Sequence, residues 1–382
     1  MNRPIPYGRQ NIDQKDIDSV VDTLNSDYLT QGPKVKQFEK KFADYVKSKY
    51  AVSVSSATAG LHLSAIALST SKGDRVITTP ISFAATSNCI RYCQGEVWFA
   101  DIDPDNFNLS LNETKKLIES KPKGFFKGII PVNFGGLSVD LEAFRNLANE
   151  HDLWIIEDAS HSPGAHYIDS KGNKQRSGNC KYSDLSVFSF HPVKHIACGE
   201  GGMVTTNSKI LYDRISTLKT HGISKDNMIE NHGDWYYEMT ELGFNYRLTD
   251  IQCALGITQL KKNNDGVIRR NEIANRYKNA FKGKIKFQET PLHFYHAYHL
   301  FVILVEDRKG LYDFLKSKLI YTQIHYIPIH QLPYYRKIGY EGAFLTNAEN
   351  YYNHCLSLPM FPSLKNSEQD YIIKMVLEYV DR

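Results

Sequence analysis

The stretch Leu153-Trp154-Ile155-Ile156-Glu157-Asp158 is a short apolar run that ends in two acids. Such a run, too short for a helix and bounded by polar residues, is typical of a β-strand buried on both faces. Similar runs recur in the first half of the chain, at Ala51 to Val54, Arg75 to Thr78, Glu96 to Ala100, Lys127 to Val132, Leu185 to Phe190 and Gly202 to Thr205. Several are separated by helical patterns, such as Leu61 to Leu68 and Leu141 to Glu150. The alternation predicts an α/β domain with a largely parallel sheet.

The chain changes character after residue 265. Its pattern predicts a helix (Val267 to Phe281), a strand (Leu300 to Val305), a helix (Gly310 to Leu319), a strand (Tyr321 to Ile329) and two final helices. We therefore expect three parts: an N-terminal segment (1–30) that contributes to the functional site and the small domain, a large α/β domain (31–265) and a small C-terminal α+β domain (266–382). The polar stretch His221 to Thr240 is predicted to be a long loop, and long loops are often functional.

Composition excludes several classes of protein. The chain has 382 residues, of which 42% are hydrophobic and 23% charged, and a net charge of +4, as in ordinary globular proteins. No run of Lys and Arg interleaved with aromatic residues is present, so no nucleic-acid partner is expected. No signal-peptide pattern begins the sequence and no run of 18 apolar residues occurs, which favours a soluble, cytoplasmic protein without a membrane partner.

The six cysteines indicate neither a disulfide framework nor a metal site. They are scattered, and only Cys89 and Cys93 are close in sequence. No paired C-x-x-C pattern for zinc emerges. We expect reduced, mostly buried thiols and no bound metal.

A phosphate site is suggested by the small residues Ser55-Ser56-Ala57-Thr58-Ala59-Gly60, which precede the helical pattern at Leu61. Backbone N–H groups and hydroxyls would meet there at the positive end of the helix dipole. An ordinary Ser/Thr helix cap is the alternative interpretation of Ser56 to Thr58.

Two residues could carry covalent and acid–base chemistry. Asp158 ends a strand, and open α/β sheets bind ligands at the carboxyl ends of their strands; a helix cap or a metal ligand is the alternative. Lys194 follows Ser189-Phe190-His191-Pro192-Val193 and precedes the turn Gly199-Glu200-Gly201-Gly202. A partly desolvated lysine there would have a lowered pKa and could form a Schiff base, although composition alone does not reject a surface lysine.

Two further side chains could contact a planar cofactor. Phe83 follows a predicted strand and offers a flat face for stacking, with a core position as the alternative. His161 lies three residues after Asp158 and could hydrogen-bond a phenolic oxygen, or serve a structural role. An imine-forming lysine, an acid and a phosphate-binding helix N-terminus are together the parts that a pyridoxal 5'-phosphate (PLP) site needs.

The motifs resemble, in the same order, those of the DegT/DnrJ/EryC1/StrS sugar aminotransferase family. They are Ser55 to Gly60, Thr79-Pro80-Ile81-Ser82-Phe83, Glu157-Asp158-Ala159-Ser160-His161, Ser189 to Lys194 with Gly199 to Gly202, and Leu242-Gly243-Phe244-Asn245-Tyr246-Arg247. The resemblance covers nearly the whole chain. It implies the fold type I (aspartate aminotransferase-like) architecture of PLP-dependent transferases, with a large, mostly parallel mixed sheet.

The resemblance also implies roles for single residues. Lys194 would bond covalently to PLP and shuttle the proton, and Asp158 would pair with the pyridine nitrogen. Ala57, Thr58 and Ser189 would bind the phosphate, with Phe83 on the ring and His161 beside it. Asn245 would reach the phosphate from the second subunit of a homodimer, so that each active site is shared between two chains.

Within the family, the sequence is most similar to members that transfer an amino group from L-glutamate to C4 of a UDP-4-keto-6-deoxy-N-acetylhexosamine in pseudaminic acid biosynthesis. The similarity rests on Thr79 to Phe83, Ser160-His161, Ser189-Phe190-His191 and His325-Tyr326-Ile327-Pro328-Ile329. Most family members have Gln at the position of His161. The sugar nucleotide would contact Ala57, Ser189, Asn245 and the further residues Tyr7, Asp27, Tyr28, Leu29, Thr30, His325, Tyr326, Ile327 and Pro328. Arg247 is a candidate for the glutamate carboxylate, with a structural role as the alternative.

Four alternative functions differ from this one in their acceptor or in features that the sequence shows. An aminotransferase of the UDP-N-acetylbacillosamine route, or of another 4-keto sugar route, differs only in its acceptor. Sugar dehydratases of the family replace the lysine by histidine, which Lys194 disfavours. A PLP-binding regulator would need a DNA-binding unit, for which the roughly 30 residues before the first motif leave no room. A nicotinamide-dependent enzyme is disfavoured because no G-x-G-x-x-G follows the first strand.

Overall fold

The computed structural model describes residues 3–224, 233, 235–340 and 344–381. Of the predicted loop His221 to Thr240, residues 225–232 and 234 lie outside the described residues. At the ends of that stretch, Ile223–Ser224 pairs with Glu238–Met239 as a short antiparallel ladder.

The helices and strands alternate through most of the chain. The strands are β1 (Tyr50–Val54), β2 (Arg75–Thr78), β3 (Glu96–Phe99), β4 (Gly128–Ile130), β5 (Trp154–Asp158), β6 (His166–Ile168), β7 (Lys174–Arg176), β8 (Leu185–Ser189), β9 (Gly202–Thr206), β10 (Ile223–Ser224), β11 (Glu238–Met239), β12 (Lys286–Phe287), β13 (Phe294–Tyr295), β14 (Phe301–Leu304) and β15 (Cys355–Leu358). The helices are α1 (Gln14–Leu24), α2 (Pro33–Val46), α3 (Ala57–Ala67), α4 (Ala85–Tyr92), α5 (Leu111–Glu119), α6 (Leu141–Glu150), α7 (Lys209–Leu218), α8 (Asp250–Phe281), α9 (Arg308–Ser317), α10 (Pro333–Tyr335), α11 (Thr346–His354) and α12 (Asn366–Val380).

A seven-stranded mixed sheet forms the centre of the large domain, in the order β1-β9-β8-β5-β4-β2-β3. The pairs from β8 to β3 are parallel, whereas β9 runs antiparallel to both β1 and β8. Every residue of β8 and β9 is buried, which explains why these segments read as continuous apolar runs. The predicted α/β class with a largely parallel sheet is confirmed, and the carboxyl ends of β5 and β8 lie side by side.

Helix α3 packs against this sheet at unusually close range. A Cβ atom on Gly60 would lie 2.9 Å from Val187 Cγ1 and 3.1 Å from Val204 Cγ2. Only glycine therefore lets the first turn of α3 approach β8 and β9. The consequence is that the N-terminus of α3 reaches the same edge of the sheet as the ends of β5 and β8.

The C-terminal part is a separate small layer of helices on the sheet β12-β14-β15. Its core contains Tyr277, Phe281, Phe301 and Leu311, all nearly inaccessible to solvent. The strand β15 was missed by the sequence interpretation, which assigned this region to two final helices. It pairs with β14 through Phe301 opposite Leu358.

One helix differs from its predicted bounds. The expected helix Val267 to Phe281 begins 17 residues earlier, since α8 is a continuous helix from Asp250 to Phe281. A capping box starts it, in which Thr249 and Gln252 each accept a hydrogen bond from the other's backbone N–H. The polar residues before Val267 obscured this start. The predicted boundary at 265/266 thus falls inside one helix that both parts share.

The predicted strand Tyr321 to Ile329 is wrong. This segment is extended, but it forms only an isolated bridge between Gln323 and Ser357 before a 3₁₀ turn at Ile329–Gln331. Its backbone instead bonds to the large domain, where Ile329 N donates to Pro80 O at 2.9 Å. The segment therefore forms no strand ladder. It runs as an extended connection across to the large domain and places His325 near the central sheet.

The N-terminal segment lies against the C-terminal part. Ile5 forms a parallel bridge with Ile320, and Met360 N donates to Tyr7 O at 2.9 Å. Within the described residues, no helix is long and apolar enough to cross a membrane. Five of the six cysteines are buried and Cys93 is half-buried.

Candidate active site

A cavity of about 390 Å³ opens at the carboxyl ends of β5 and β8. It lies where open α/β sheets place their ligands. Ten of the predicted site residues line it, namely Tyr7, Ala57, Thr58, Phe83, Asp158, His161, Ser189, Lys194, His325 and Tyr326. Residues from six separate segments of the chain thus line one cavity.

Lys194 is half-buried, and its accessible part faces the cavity. Its backbone N–H donates to His191 O at 2.8 Å, which closes the turn after β8. Its Nζ lies 3.4 Å from His299 Nε2. Burial lowers the pKa of the amine to about 8, although the nearby Asp158 carboxylate opposes part of that change.

Asp158 is the last residue of β5 and is buried. Its Oδ2 accepts a hydrogen bond from Thr86 Oγ1 at 2.7 Å, and its Oδ1 accepts one from Ser160 N at 3.1 Å. Thr86 Oγ1 is in turn 2.7 Å from Ser82 Oγ. These contacts from α4 and from the β5 turn hold the carboxyl group in one orientation at the cavity wall.

The N-terminus of α3 forms another wall. Ser56 is its N-cap and accepts a hydrogen bond from Ala59 N at 3.1 Å. Ala57 and Thr58 occupy the first turn, whose N–H groups have no acceptor within the helix. Ser189 ends β8 on the same cavity. The arrangement suits an anion.

Gly202 determines how closely β9 approaches this helix N-terminus. A Cβ atom there would lie 2.7 Å from both Ala57 N and the carbonyl carbon of Ser56. Because these are backbone atoms, they cannot move aside as a side chain would.

We expect Gly202→Ala to destabilise the protein by about 1–3 kcal/mol through overpacking and to weaken PLP retention. Gly266→Ala is the matched control, since its Cβ would meet nothing closer than Pro362 Cγ at 3.7 Å, and it should be neutral or stabilising. Thermal unfolding and equilibrium dialysis of PLP measure the two effects. Equal stability and PLP affinity in Gly202→Ala and wild type would contradict this view of the helix N-terminus.

The aromatic residues of the cavity surround His161. Its Nε2 is 3.2 Å from Tyr326 OH, and its Nδ1 is buried without a hydrogen-bond partner in the described part of the chain. Burial, with help from Lys194, holds the pKa of His161 well below its usual value, so the ring is neutral. Phe83 lines the same cavity and is 62% exposed, which leaves its face open to a ligand. The core position considered for Phe83 is therefore excluded.

These groups fit PLP. The amine of Lys194 can react with the aldehyde of PLP, and the carboxyl group of Asp158 can pair with the pyridine nitrogen. The N-terminus of α3 can bind the phosphate. The unpaired Nδ1 of His161 is a buried polar atom that a bound ligand could satisfy.

The other predicted site residues do not line the cavity of this single chain. They are Asp27, Tyr28, Leu29, Thr30, Asn245, Ile327 and Pro328. Thr30 forms an isolated bridge with Thr249, and Asn245 forms one with Thr220. All except the buried Pro328 are exposed.

Several cavity residues escaped the sequence interpretation. Thr86 and Ser82 hold Asp158, and His299 contacts Lys194. Thr86 lies three residues after Phe83, a spacing that could have suggested it. His299 is 105 residues from Lys194 in sequence, and no local pattern connects the two.

Residues 10–377 match the model of the DegT/DnrJ/EryC1/StrS aminotransferase family, so the chain belongs to this family. It is 39% identical to the spore coat polysaccharide biosynthesis protein SpsC of Bacillus subtilis, over 99% of this chain and 98% of that one. It is 37% identical to the UDP-4-amino-4,6-dideoxy-N-acetyl-β-L-altrosamine transaminase of Campylobacter jejuni, over 96% and 95%. The solved structure of Helicobacter pylori PseC, an aminotransferase of pseudaminic acid biosynthesis, is 31% identical, covers 99% and 100%, and superposes with a TM-score of 0.89.

The protein is thus a PLP-dependent sugar aminotransferase. Solved neighbours of the same fold include PLP and pyridoxamine phosphate forms. The predicted family, fold type and cofactor are confirmed.

Proposed function

We propose that this enzyme transfers the amino group of L-glutamate to C4 of a UDP-4-keto-6-deoxy-N-acetylhexosamine in the cytoplasm. The product would be UDP-4-amino-4,6-dideoxy-N-acetyl-β-L-altrosamine, for pseudaminic acid biosynthesis. The observation that carries the proposal is the cavity itself, in which Tyr7, His325 and Tyr326 lie beside Lys194 and Asp158. The relatives named for this reaction and pathway support the choice of acceptor.

Bound PLP would supply an electron sink for the carbon that loses its proton. In our proposal Asp158 holds the ring nitrogen protonated, because its carboxyl group is fixed by Thr86 and Ser160. The first turn of α3 and Ser189 bind the phosphate, Phe83 stacks on the ring, and His161 donates to or accepts from its phenolic oxygen.

Lys194 is the proposed proton carrier. With a pKa of about 8, about a tenth of the Lys194 side chains that are not bonded to PLP are unprotonated at pH 7. An ordinary lysine, with a pKa near 10.4, would be unprotonated roughly 200-fold less often at the same pH. Lys194 Nζ would remove a proton from the carbon of the amino donor that carries the amino group. It would then return that proton to the nearby carbon on the cofactor side. The same site serves both substrates in alternation, which is ping-pong kinetics.

The alternative function is 4-amination in another nucleotide-sugar route, such as UDP-N-acetylbacillosamine synthesis. The similarity to SpsC, at 39% identity, supports this alternative, because SpsC is named for spore coat polysaccharide biosynthesis and not for pseudaminic acid. The acceptors differ mainly in ring stereochemistry, to which the side chains of Tyr7, His325 and Tyr326 would respond.

The test is the visible spectrum of the PLP-loaded enzyme. L-glutamate should bleach the absorbance of bound PLP, and the L-arabino UDP-4-keto-6-deoxy-N-acetylhexosamine should restore it. Restoration by the D-xylo epimer alone would support the bacillosamine-type alternative. Absence of bleaching would contradict the glutamate-dependent reaction.

The proposal includes a homodimer with shared active sites. Apolar side chains are exposed close to the predicted substrate and cofactor residues, with Tyr28 56%, Leu29 47% and Leu242 77% accessible. Asn245, three residues after Leu242, is exposed as well. A second copy of the chain would cover these groups and bring Asn245 to the phosphate.

Mixing two inactive variants tests the shared site. Asn245→Ala should lose PLP, and with it activity, when no excess PLP is added, and Lys194→Ala should be inactive. If Asn245 serves the partner's site, random hybrids of the two contain one intact site, and about a quarter of wild-type activity should return. No recovery, with hybrids verified by mass, would show that Asn245 does not act across the interface.

A further inference from the structure

The amine of Lys194 has one side-chain partner in the described part of the chain. Its Nζ lies 3.4 Å from His299 Nε2, and no carboxylate of the described residues is within 4 Å. Asp158 attracts it only through space. Because the side chain of a lysine has four rotatable bonds, this one hydrogen bond is what directs the amine.

His299 is held rigidly enough to provide such a contact. The neighbouring Leu300 N donates to Gly135 O at 3.1 Å, and Arg270 Nη1 donates to Tyr298 O at 3.0 Å and to His299 O at 3.4 Å. The ring packs on His161, with centroids 4.4 Å apart. His299 is 4% exposed, so its side chain has little freedom.

Among the residues that the structure describes, the second ring nitrogen of His299 has no hydrogen-bond partner. Nδ1 is buried without a hydrogen bond, so the ring has no carboxylate that would retain a second proton. Burial and the nearby Lys194 hold the pKa of His299 well below its usual value. The neutral ring can therefore accept a hydrogen bond at Nε2 when Nδ1 carries the proton.

We infer that His299 is a positioning residue for Lys194. The Nε2 atom of His299 accepts a hydrogen bond from Lys194 Nζ whenever that amine carries the proton taken from the substrate. The inference rests on the proposed role of Lys194 as proton carrier. This hydrogen bond keeps the Lys194 ammonium group directed along the cavity wall until the proton is returned. The hydrogen bond also stabilises the charged form of the amine, whereas burial favours the neutral form.

Other charged or titratable groups surround this pair and bear on its protonation. They are Asp158 from β5, His161 from the turn after β5, His195 beside Lys194, Arg270 from α8 and His325 from the extended segment. Asp158 favours the ammonium form of Lys194, and the histidines are neutral because burial lowers their pKa values. Removing the His299 acceptor should therefore lower the pKa of Lys194 further.

The test measures the pKa of Lys194 in PLP-free protein, from the pH dependence of its acetylation by acetic anhydride, quantified by mass spectrometry. His299→Asn, whose amide cannot reach the position of Nε2, and His299→Leu should lower that pKa by about one pH unit. His299→Gln, whose amide oxygen can reach it, should recover most of the difference. His296→Asn is the control, since His296 is buried in the same segment but bonds to Gln288 and to Tyr298 N.

Kinetics give a second readout. In the PLP-loaded enzyme, His299→Asn should lower kcat about 10–100-fold with little change in KM for glutamate, because proton transfer rather than binding is affected. An unchanged Lys194 pKa in both His299→Asn and His299→Leu would overturn the inference, whatever their activity. Because the pKa is measured without sugar or cofactor, failure of the proposed acceptor would leave this result intact.

Discussion

Lys194→Ala should fold, bind PLP without a covalent bond and lose at least about 10⁴-fold in kcat. In the proposed function, Nζ provides both the covalent attachment and the proton transfer, and no other lysine lines the cavity among the described residues. The folded state should survive, since Lys194 makes one side-chain hydrogen bond. Single-turnover reaction with L-glutamate, followed by absorbance, measures the loss.

The matched variant is Lys194→Arg, which keeps the positive charge but has a pKa too high to supply a free amine at pH 7. It should be as inactive as Lys194→Ala, whereas a purely electrostatic role would leave it active. Normal turnover by Lys194→Ala, with its mass verified, would refute the assignment of Lys194.

Asp158→Asn should lower kcat by roughly 10³-fold, because a neutral amide cannot keep the pyridine nitrogen of PLP protonated. The amide is nearly isosteric and can still accept from Thr86 or Ser160 through its oxygen. We therefore expect near-normal folding and PLP binding. Steady-state kinetics at saturating glutamate, with the melting temperature measured in parallel, separates the two effects.

Glu157→Gln is the control on the same strand. Glu157 points to the other face of the sheet, where its carboxyl accepts hydrogen bonds from Asn133, Ser177 and Gly178 N at 2.7, 2.8 and 3.0 Å. Replacing one oxygen by an amide group should leave buried donors unpaired and cost about 1–3 kcal/mol of stability. Activity per folded molecule should remain. If Asp158→Asn lost stability but kept its kcat, the role proposed for Asp158 would be wrong.

The two acids show what sequence patterns can predict. An apolar run that ends in Glu157-Asp158 indicates a buried strand, and a strand-end acid is a candidate for ligand binding or for a helix cap. The pattern does not tell which acid faces the cavity. That follows from the alternation of side chains along β5 once its neighbours β4 and β8 are in place.

The secondary-structure predictions that were wrong share one cause. The start of α8 and the extended segment that carries His325 depend on contacts with distant residues, such as Pro80 O for Ile329 N. Local periodicity contains no information about such partners. Strand β15 was missed for the same reason, since it is defined by its pairing with β14.

The sequence by itself determined the α/β class, the family and the cofactor, because short local motifs indicate each of them. The motifs that predict this cofactor contain Lys194, the acid pair that ends in Asp158 and the first turn of α3. Only the tertiary structure decided that His299 contacts Lys194 and that Thr86 orients Asp158. These are contacts between elements far apart in the chain, and they exist only because burial of the sheet and of α8 brings those elements together.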